Sequence, residues 1–308
     1  MTAILPPRRL LGDLRQHASV RRIVLDDGPE RGVRALAFST GGGLDFWVLS
    51  DRSFDIGPLW WRGVQLGWQS PAGFRAAALT ERWDDDGRGV ERGFSGMLVT
   101  CGLDHVRRGE NGLPLHGHLP YTPGRLLAYG EAWDAEEPHL FCQGEMTEFR
   151  IGGEGLRLVR RIEAPIGGTV LHVLDELENI GPAPQEIAVL YHVNPGFPLV
   201  DDGTTVTLDG ERILGPLAPP ELETPPPAWR GVGGASATAT IAAPACPVVL
   251  ETRWRPDTLP CLQTWRNVRH NIGVIGIEPC TAAPDAPKPK LAVGEKIRLG
   301  VTLRLRPS

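Results

Sequence analysis

Three features are scarce in this sequence of 308 residues: long apolar runs, excess positive charge and paired cysteines. No window approaches about 18 uninterrupted apolar residues, the minimum for a membrane-spanning helix. Lys and Arg total 32 against 37 Asp and Glu, which gives a formal net charge of −5. Attraction to nucleic acid or to an anionic membrane therefore has no electrostatic basis, and we expect neither as a partner.

The five cysteines are scattered at positions 101, 142, 246, 261 and 280, without the C-x-x-C spacing of a zinc knuckle. Such usage is typical of free thiols in a reducing compartment rather than of a disulfide framework. Arg8 and Arg9 resemble the start of a twin-arginine signal, but the segment after them lacks the necessary apolar stretch. The sequence therefore predicts a cytoplasmic protein.

Helical periodicity is also scarce, and residues 8–18 and 71–82 are the only segments that suggest short helices. Alternation of apolar and polar residues dominates instead. The abundance of glycine (38) and proline (29) favours short strands joined by turns. The clearest alternation is at the C-terminus, where one face carries Ile297, Leu299, Val301, Leu303 and Leu305. The sequence predicts an all-β protein of mostly antiparallel strands.

Strand patterns continue along the whole chain, and no internal repeat of about 20–50 residues interrupts them. They resume on both sides of the Pro-rich segment 216–228 and the small-residue segment 231–245. We therefore predict one domain over residues 1–308, with N-terminal strands or an extension over 1–40 and a loop-rich excursion over 216–245. The short apolar runs that predict further strands are 44–49, 97–100, 169–174, 186–193, 247–250 and 272–277.

Three short motifs place ionisable residues in or next to apolar runs. Leu-His-Gly-His-Leu at 115–119 carries two imidazoles one residue apart, and histidine is the side chain that exchanges protons near neutral pH. In Tyr-His-Val-Asn-Pro-Gly at 191–196 and Gly-Ile-Glu-Pro at 276–279, one ionisable residue leaves an apolar run just before Pro or Gly. This pattern indicates an active site at the ends of buried strands.

These motifs resemble those of a known family. LHG at 115–117, YHVN at 191–194 and GIEP at 276–279 occur in the order and spacing of the aldose 1-epimerases, in a bacterial branch of the galactose mutarotase-like superfamily. Segments 51–56 and 98–103 are also similar to that branch, and the resemblance covers about residues 44–306. It implies a large antiparallel β-supersandwich with few short helices and a sugar cleft across one concave sheet.

Exchange between the anomers of a sugar needs a base for the anomeric hydroxyl and an acid for the ring oxygen. Glu278, at the end of an apolar strand, is the natural base, and the resemblance places it on the catalytic glutamate of the family. It likewise places His192 on the general acid and His116 on the second active-site histidine, which binds the sugar and helps polarise the ring oxygen. The reaction requires no metal and no cofactor.

An arginine is the remaining pocket residue that the resemblance implies, and two candidates exist. Arg92 lies before His116 at about the separation expected of a substrate-binding arginine. Arg52, flanked by Asp51 and Asp55, is either a second sugar contact or part of a structural ion pair. Both interpretations of Arg52 are open at this point.

Other positions bear on the substrate. His118 stands where many members of this branch have arginine, and it either contacts the sugar or only packs the turn. Gln263 and Trp265, near the last cleft strand, are expected to provide a face for the sugar. A substrate-binding aspartate is expected between His192 and Glu278, but the four aspartates there have no recognisable context: Asp201, Asp202, Asp209 and Asp257.

Three functional classes compete. The sequence favours an aldose 1-epimerase-like isomerase that acts on a small-molecule sugar, as a monomer or homodimer; the sugar is free, deoxy, sulfonated or phosphorylated. A sugar-binding or regulatory module on the same fold is the alternative, because a fold does not fix function. A metal-dependent isomerase of the cupin kind, with His116 and His118 as ligands, has weaker support because the next acidic residue is Glu131.

Overall fold

Antiparallel strands account for nearly all the regular secondary structure of the described residues, which confirms the all-β prediction. The computed structural model describes residues 8–107 and 113–308, so residues 1–7 of the segment 1–40 lie outside the described residues. The described part of the chain contains 21 strands in a ten-stranded sheet, a nine-stranded sheet and a two-stranded ribbon. The strand pairs in all three are antiparallel.

The ten-stranded sheet is assembled from distant parts of the chain, with N-terminal strands at one edge and later strands at the other. A short strand, β5 (Val64–Gln65), pairs with β4 outside the main path. The main path, in spatial order, is β1 (Ser19–Val24), β2 (Arg34–Ser39), β3 (Leu44–Leu49), β4 (Asp55–Trp61), β6 (Leu98–Leu103), β12 (Ala188–Val193), β19 (Val274–Cys280), β18 (Cys261–Asn267) and β15 (Ala228–Gly231).

The nine-stranded sheet contains the longest strands. A separate ribbon joins β11 (Gln185–Glu186) to β20 (Lys290–Leu291). The nine strands, in spatial order, are β14 (Glu211–Leu214), β13 (Thr205–Leu208), β16 (Ala237–Ala242), β17 (Val248–Trp254), β21 (Lys296–Pro307), β10 (Val170–Asn179), β9 (Gly155–Pro165), β8 (His139–Phe149) and β7 (Arg125–Ala132).

The strand predictions agree closely with these bounds. The predicted run 44–49 is β3, and each other predicted run overlaps an observed strand. Along β21 the predicted apolar face is buried, with Leu299, Val301, Leu303 and Leu305 all at most 6% exposed. The segment 216–245 contributes two strands, β15 and β16, to different sheets. All five cysteines are free, buried thiols.

Helix is confined, among the described residues, to very short pieces. In the predicted helix 71–82, Gly73 adopts a φ of +63° and Glu30 accepts a hydrogen bond from the backbone N–H of Phe74 at 2.6 Å. This bond competes with helix formation. No described helix has the length and apolar character that crossing a membrane requires. The pieces are α1 (Asp84–Gly87) and 3-10 turns at Arg8–Leu10, Leu14–Gln16, Gly28–Glu30, Ala77–Leu79 and Gly89–Arg92.

The two large sheets share one apolar core, and strand alternation decides which side chains enter it. On β12, Tyr191 and Val193 belong to this core, whereas Leu190 packs in a smaller cluster on the opposite face of the ten-stranded sheet. Successive side chains of a strand point to opposite faces. His192 therefore points away from the main core, on the same side as Leu190.

A fully buried ion network joins the two sheets. Arg160 on β9 donates two hydrogen bonds to Asp175 on β10, at 2.9 and 2.6 Å. From the other sheet, Tyr191 donates to Asp175 at 2.7 Å, and Asp55 lies 3.4 Å from the guanidinium. Burial raises the pKa of Asp55 to about 7, although Arg160 opposes the shift. One guanidinium thus connects β9, β10, β4 and β12.

Replacement of this guanidinium should be costly. Arg160→Met would leave the Asp175 carboxylate buried without its cationic partner, so we expect the free energy of unfolding to fall by about 3–5 kcal/mol in urea denaturation. The matched control is Arg157→Met on the same strand, where the side chain is 39% exposed and pairs with Glu178. That change should cost less than about 1 kcal/mol. Equal losses in the two variants would contradict the role assigned to the network.

Candidate active site

Three neighbouring strands bring four of the predicted site residues together. Strands β12, β19 and β18 lie side by side, and Gln263 is directly opposite Glu278 in the register. His192, Glu278, Gln263 and Trp265 all lie on the face directed away from the main core. Beneath them, on the same face, is a small apolar cluster that consists of Val99, Cys101, Leu190, Cys261 and Cys280.

Glu278 lies at the centre of this group with no solvent exposure. Gln263 Nε2 donates a hydrogen bond to its Oε2, and His192 Nε2 lies 3.4 Å from its Oε1. Oε1 has no hydrogen-bond partner among the described residues. A Cβ at Gly276 would lie 2.3 Å from Oε1, so glycine at this position leaves room for the carboxylate. One carboxylate oxygen is therefore held and the other faces the imidazole.

The orientation of His192 is fixed by the motif that contains it. Asn194 Nδ2 donates to the backbone carbonyl of Gly96 at 3.1 Å, which leaves Asn194 Oδ1 to accept from His192 Nδ1. Nε2 is consequently the nitrogen that faces Glu278. The rings of Phe94 and Trp265 lie edge-on to the imidazole, with centroids 4.9 and 5.9 Å away. These rings enclose the pair of proton-exchanging groups.

His116 approaches the same group from the loop after β6. Its φ is +67°, and its backbone N–H donates to Arg107 O at 2.8 Å while its carbonyl accepts from Gly102 at 2.9 Å. Its ring centroid lies 5.6 Å from that of His192 at an interplanar angle of 89°. Burial, assisted by His192 and Arg107, lowers the pKa of His116 to about 3. His116 is thus a neutral imidazole whose Nδ1 has no partner among the described residues.

Arg107 is a site residue that the sequence patterns did not indicate. Its Nε donates to Gln263 Oε1 at 2.6 Å, and its guanidinium also donates to Ala282 O at 3.2 Å. Because Arg107 occupies the amide oxygen of Gln263, the amide nitrogen points at Glu278. The three side chains form a relay, Arg107 to Gln263 to Glu278, that orients the carboxylate.

The structure does not place Arg52 in the cleft. The side chain is 0% exposed, and its Nη2 donates to the backbone carbonyl of Gly93 at 2.7 Å. Its guanidinium also lies 4.2 Å from the centroid of the Tyr121 ring. The ion pairs considered from the sequence are not formed either, because Asp51 pairs with Arg34 and Asp55 with Arg160. Arg52 instead supports the segment that carries Phe94 to His192.

Arg92 also lies apart from the cluster. Its guanidinium makes a bidentate pair with Asp85, at 2.6 and 2.7 Å, and its side chain is 57% exposed. The pair closes the turn of α1, where Asp85 has a φ of +54°. The guanidinium donors are therefore directed to a neighbouring carboxylate, and Arg107 is the arginine that contacts the site.

His118 lies next to His116 in sequence but outside the Glu278 cluster. Its Nδ1 lies 3.0 Å from Asp104 Oδ2, and its side chain is 32% exposed. Gly117 turns the chain between the two histidines with a φ of +82°. His118 therefore belongs to a second polar group, around Asp104.

A cleft with a volume of about 320 Å³ lies against β14 and β18, and its lining includes neither Glu278 nor His192. Trp265 lines it and also contacts His192, so this indole borders both the cleft and the acid–base pair. The aspartates considered from the sequence are engaged elsewhere. Hydrogen bonds tie Asp201 to Asp202, Asp209 to Thr238 and Asp257 to Arg255.

Three contacting residues were missed at the sequence level: Phe94, Arg107 and Asn194. Asn194 had a signal, because it stands two positions after His192, where a strand side chain returns to the same face. Phe94 and Arg107 had none, since each enters the site from a loop. The assembled chemistry is a carboxylate next to an imidazole, with a neutral second imidazole and aromatic faces around them. Such a group suits acid–base chemistry on a small polar ring.

The neutral state of His116 leads to a pH prediction. Its pKa of about 3 lies below the ordinary 6.5, so on acidification the unfolded chain takes up a proton first. The stability associated with neutral His116 is present above pH 6.5 and is lost as the pH falls toward 3. Relative to His116→Gln, the wild-type free energy of unfolding should fall by up to about 1.4 kcal/mol per pH unit between pH 6 and 4. Parallel pH profiles would contradict this assignment.

Solved structures share this fold. A "putative aldose 1-epimerase" of Klebsiella pneumoniae superposes with a TM-score of 0.83 at 20% identity, over 97% of this chain and 85% of that chain. A galactose mutarotase-like protein of Clostridium acetobutylicum superposes with a TM-score of 0.68 at 12% identity, over 95% of this chain and 100% of that chain. Galactose 1-epimerase of Lactobacillus acidophilus superposes with a TM-score of 0.59 at 12% identity, over 94% of this chain and 99% of that chain. The fold is therefore the galactose mutarotase-like β-sandwich that the resemblance implied.

Sequence comparisons give a family but no activity. No curated protein matches the chain. The family model described as a domain of unknown function, DUF4432, matches residues 30–216. The match spans more than half of the sequence, and the chain belongs to this DUF4432 family.

Proposed function

We propose that the protein is an aldose 1-epimerase-like isomerase that interconverts the anomers of an aldose or a related sugar. The observation that carries the proposal is the contact of 3.4 Å between His192 Nε2 and Glu278 Oε1, on the face of the ten-stranded sheet that is directed away from the main core. The hydrogen bonds of Asn194 and Gln263 leave these two atoms directed at each other. The similarity of the fold to proteins named as epimerases and mutarotases supports the same conclusion.

The two groups suit the two proton transfers. Glu278 Oε1 takes the proton of the anomeric hydroxyl while protonated His192 donates from Nε2 to the ring oxygen, and the bond from C1 to the ring oxygen breaks. Both oxygens are bonded to the same carbon, so an acid and a base that lie close together serve both. Rotation about C1–C2 and the reverse transfers close the ring as the other anomer, and both groups regain their starting protonation states.

The other residues orient the reactants. His116, as a neutral imidazole, donates from one nitrogen and accepts at the other, which suits hydrogen bonds to the sugar near the ring oxygen. Trp265 provides an apolar face for the ring at the border of the cleft. Gln263 and Arg107 hold the carboxylate of Glu278. The step uses no metal and no cofactor.

Removal of the base tests the proposal. Glu278→Gln preserves the shape and hydrogen-bonding capacity of the side chain but cannot take a proton. Anomeric exchange on an accepted sugar, measured by NMR exchange spectroscopy on a panel of sugars, should therefore fall by about 10²- to 10⁴-fold. The matched control is Glu251→Gln on β17, in the other sheet, which should keep wild-type activity. Equal exchange in Glu278→Gln and wild type would eliminate Glu278 as the base.

A non-catalytic sugar-binding module is the second candidate, and the enclosure of Glu278 favours it. With no exposed atom, the carboxylate contacts a sugar only after neighbouring side chains move. The same sugar panel separates the two functions. Wild-type protein that binds a sugar without accelerating its anomeric exchange would support the binding module and overturn the isomerase.

The positioning role of Arg107 gives a separate prediction. Arg107→Met removes the donor that orients Gln263, so Glu278 should be misplaced and kcat should fall by about 10- to 100-fold, with a smaller change in KM. Arg107→Lys keeps a donor and should recover part of the loss. Arg92→Met, which breaks only the pair with Asp85, is the comparison. A larger kinetic defect in Arg92→Met would show that Arg92 is the pocket arginine.

A further inference from the structure

A second polar group lies beyond the end of β6, around Asp104. Ligand atoms of Asp104, His105 and His118 all lie within 4.8 Å of one another. His105 Nδ1 is 2.9 Å and His118 Nδ1 is 3.0 Å from the same carboxylate oxygen, Asp104 Oδ2. Two imidazole nitrogens and one carboxylate oxygen thus converge outside the Glu278 cluster, in an arrangement that the proposed isomerase reaction does not use.

The protonation state of His105 can be deduced from its other nitrogen. Nε2 lies 2.7 Å from the backbone carbonyl of Pro114, and a carbonyl only accepts, so Nε2 carries the hydrogen. In the neutral ring, Nδ1 then presents a lone pair toward Asp104. Histidine ligands of metals commonly donate their other N–H to a backbone carbonyl in this way.

The contact between His105 and Asp104 has the wrong shape for a hydrogen bond. Despite the 2.9 Å separation, His105 Nδ1 makes no hydrogen bond to any described residue, because Asp104 Oδ2 lies off its axis. A hydrogen-bonded proton would lie close to the line that joins His105 Nδ1 and Asp104 Oδ2. A metal ion bound by both atoms would lie to one side of that line. His105 is only 5% exposed, so water is a poor alternative partner.

Two further oxygens near the group are unsatisfied. Asp104 Oδ1 is buried and has no partner among the described residues. Glu148 accepts from the backbone of Leu103 at 2.9 Å through Oε1, but its Oε2 is buried without a described partner. Buried carboxylate oxygens without partners are costly. A cation bound between the imidazoles and Asp104 would also lower the electrostatic cost of the buried Glu148 carboxylate.

We propose that Asp104, His105 and His118 bind a divalent transition metal ion, with Zn²⁺ the best match. Zinc binds imidazole nitrogen and carboxylate oxygen at about 2.0–2.2 Å, so the donor atoms of a tetrahedral site are about 3.3 Å apart. The distances of 2.9 and 3.0 Å and the 4.8 Å limit bracket that value. Water would occupy the fourth position.

Two cations also face the group and are part of its charge balance. Lys288 Nζ lies 3.4 Å from the backbone carbonyl of Asp104, and Arg82 donates to Thr122 Oγ1 at 3.0 Å beside His118. The carboxylates of Asp104 and Glu148 offset these two charges. The softer imidazole nitrogens therefore determine which ion binds, and they favour zinc over magnesium or calcium.

The position of the site gives the ion a structural role. Asp104 and His105 begin the segment 104–118 and His118 ends it, so one ion would tie both ends together. His116 lies within this segment, and the backbone of Gly117 is packed so tightly that a Cβ there would lie 2.4 Å from the carbonyls of Gly102 and His105. A metal at this site would hold the loop that presents His116, without contact to the sugar.

Metal titration tests the site without reference to activity. Purified full-length protein, stripped with a chelator and titrated with ZnCl2 in a calorimeter, should bind one equivalent. His118→Gln removes a half-exposed ligand and should weaken Zn²⁺ binding by about 10- to 100-fold. The matched control is His172→Gln on β10 in the nine-stranded sheet, where Nδ1 lies 3.0 Å from Thr302 Oγ1, and it should bind as the wild type does. No binding by the wild type, or equal binding by both variants, would overturn the proposal.

Substitution with Co²⁺ identifies the ligands in the wild-type protein, so the test does not depend on the folding of a variant. Nitrogen and oxygen ligands in a tetrahedral site should give visible d–d bands without a thiolate charge-transfer band. A thiolate band would place the ion on the cysteines of the apolar cluster and would overturn the assignment. Visible bands that persist unchanged in Asp104→Asn would overturn it as well.

Discussion

The ion network around Arg160 links the two large sheets through the apolar core. A guanidinium with no solvent exposure is tolerated only when carboxylates compensate its charge and carbonyls accept its remaining hydrogens. Burial alone would lower the pKa of Arg160, but Asp175 reverses the effect and raises it above its ordinary value. Because Asp175 also accepts from Tyr191, the network fixes how one sheet lies on the other.

The network and the candidate active site are adjacent in sequence, because Tyr191 belongs to the network and His192 to the site. Tyr191 is held in the interior by its hydroxyl, and the next residue, His192, must point to the opposite face of the sheet. The hydrogen bond from Tyr191 to Asp175, in the core between the sheets, therefore helps to determine where the His192 imidazole lies relative to Glu278. On the opposite face of the sheet, the hydrogen bond with Asn194 Oδ1 determines the orientation of the His192 ring. Hydrogen bonds on both sides of β12 therefore determine where His192 lies.

The sequence predicted what depends on local periodicity. Alternation in β21 and the apolar runs of β3 and β12 identified strands, because the face that each side chain occupies follows from its position in the strand. His192, Glu278, Gln263 and Trp265 lie together for the same reason: each stands on a strand at a position that faces away from the main core. His116 was found through its motif, since LHG precedes a turn that brings the loop back to the sheet.

The arginines could not be assigned in this way. An arginine side chain is long, and its partner is chosen by tertiary structure rather than by neighbours in sequence. Arg52 stands between two aspartates in sequence, yet its donors reach the carbonyls of residues 93 and 95, about forty positions away. Arg107 contacts Gln263, which is 156 positions distant. Such contacts have no periodic signature.

His116 and His192 lie in different surroundings, although their rings are neighbours. His116 lies near Arg107, and burial together with neighbouring cations disfavours a proton on its ring. His192 instead lies with Nε2 3.4 Å from Glu278 Oε1. A neutral imidazole can bind and polarise a sugar oxygen but has no proton to spare for it. In the proposed isomerase reaction, the proton for the ring oxygen therefore comes from His192, and the relay from Arg107 through Gln263 holds Glu278 to take one from the anomeric hydroxyl.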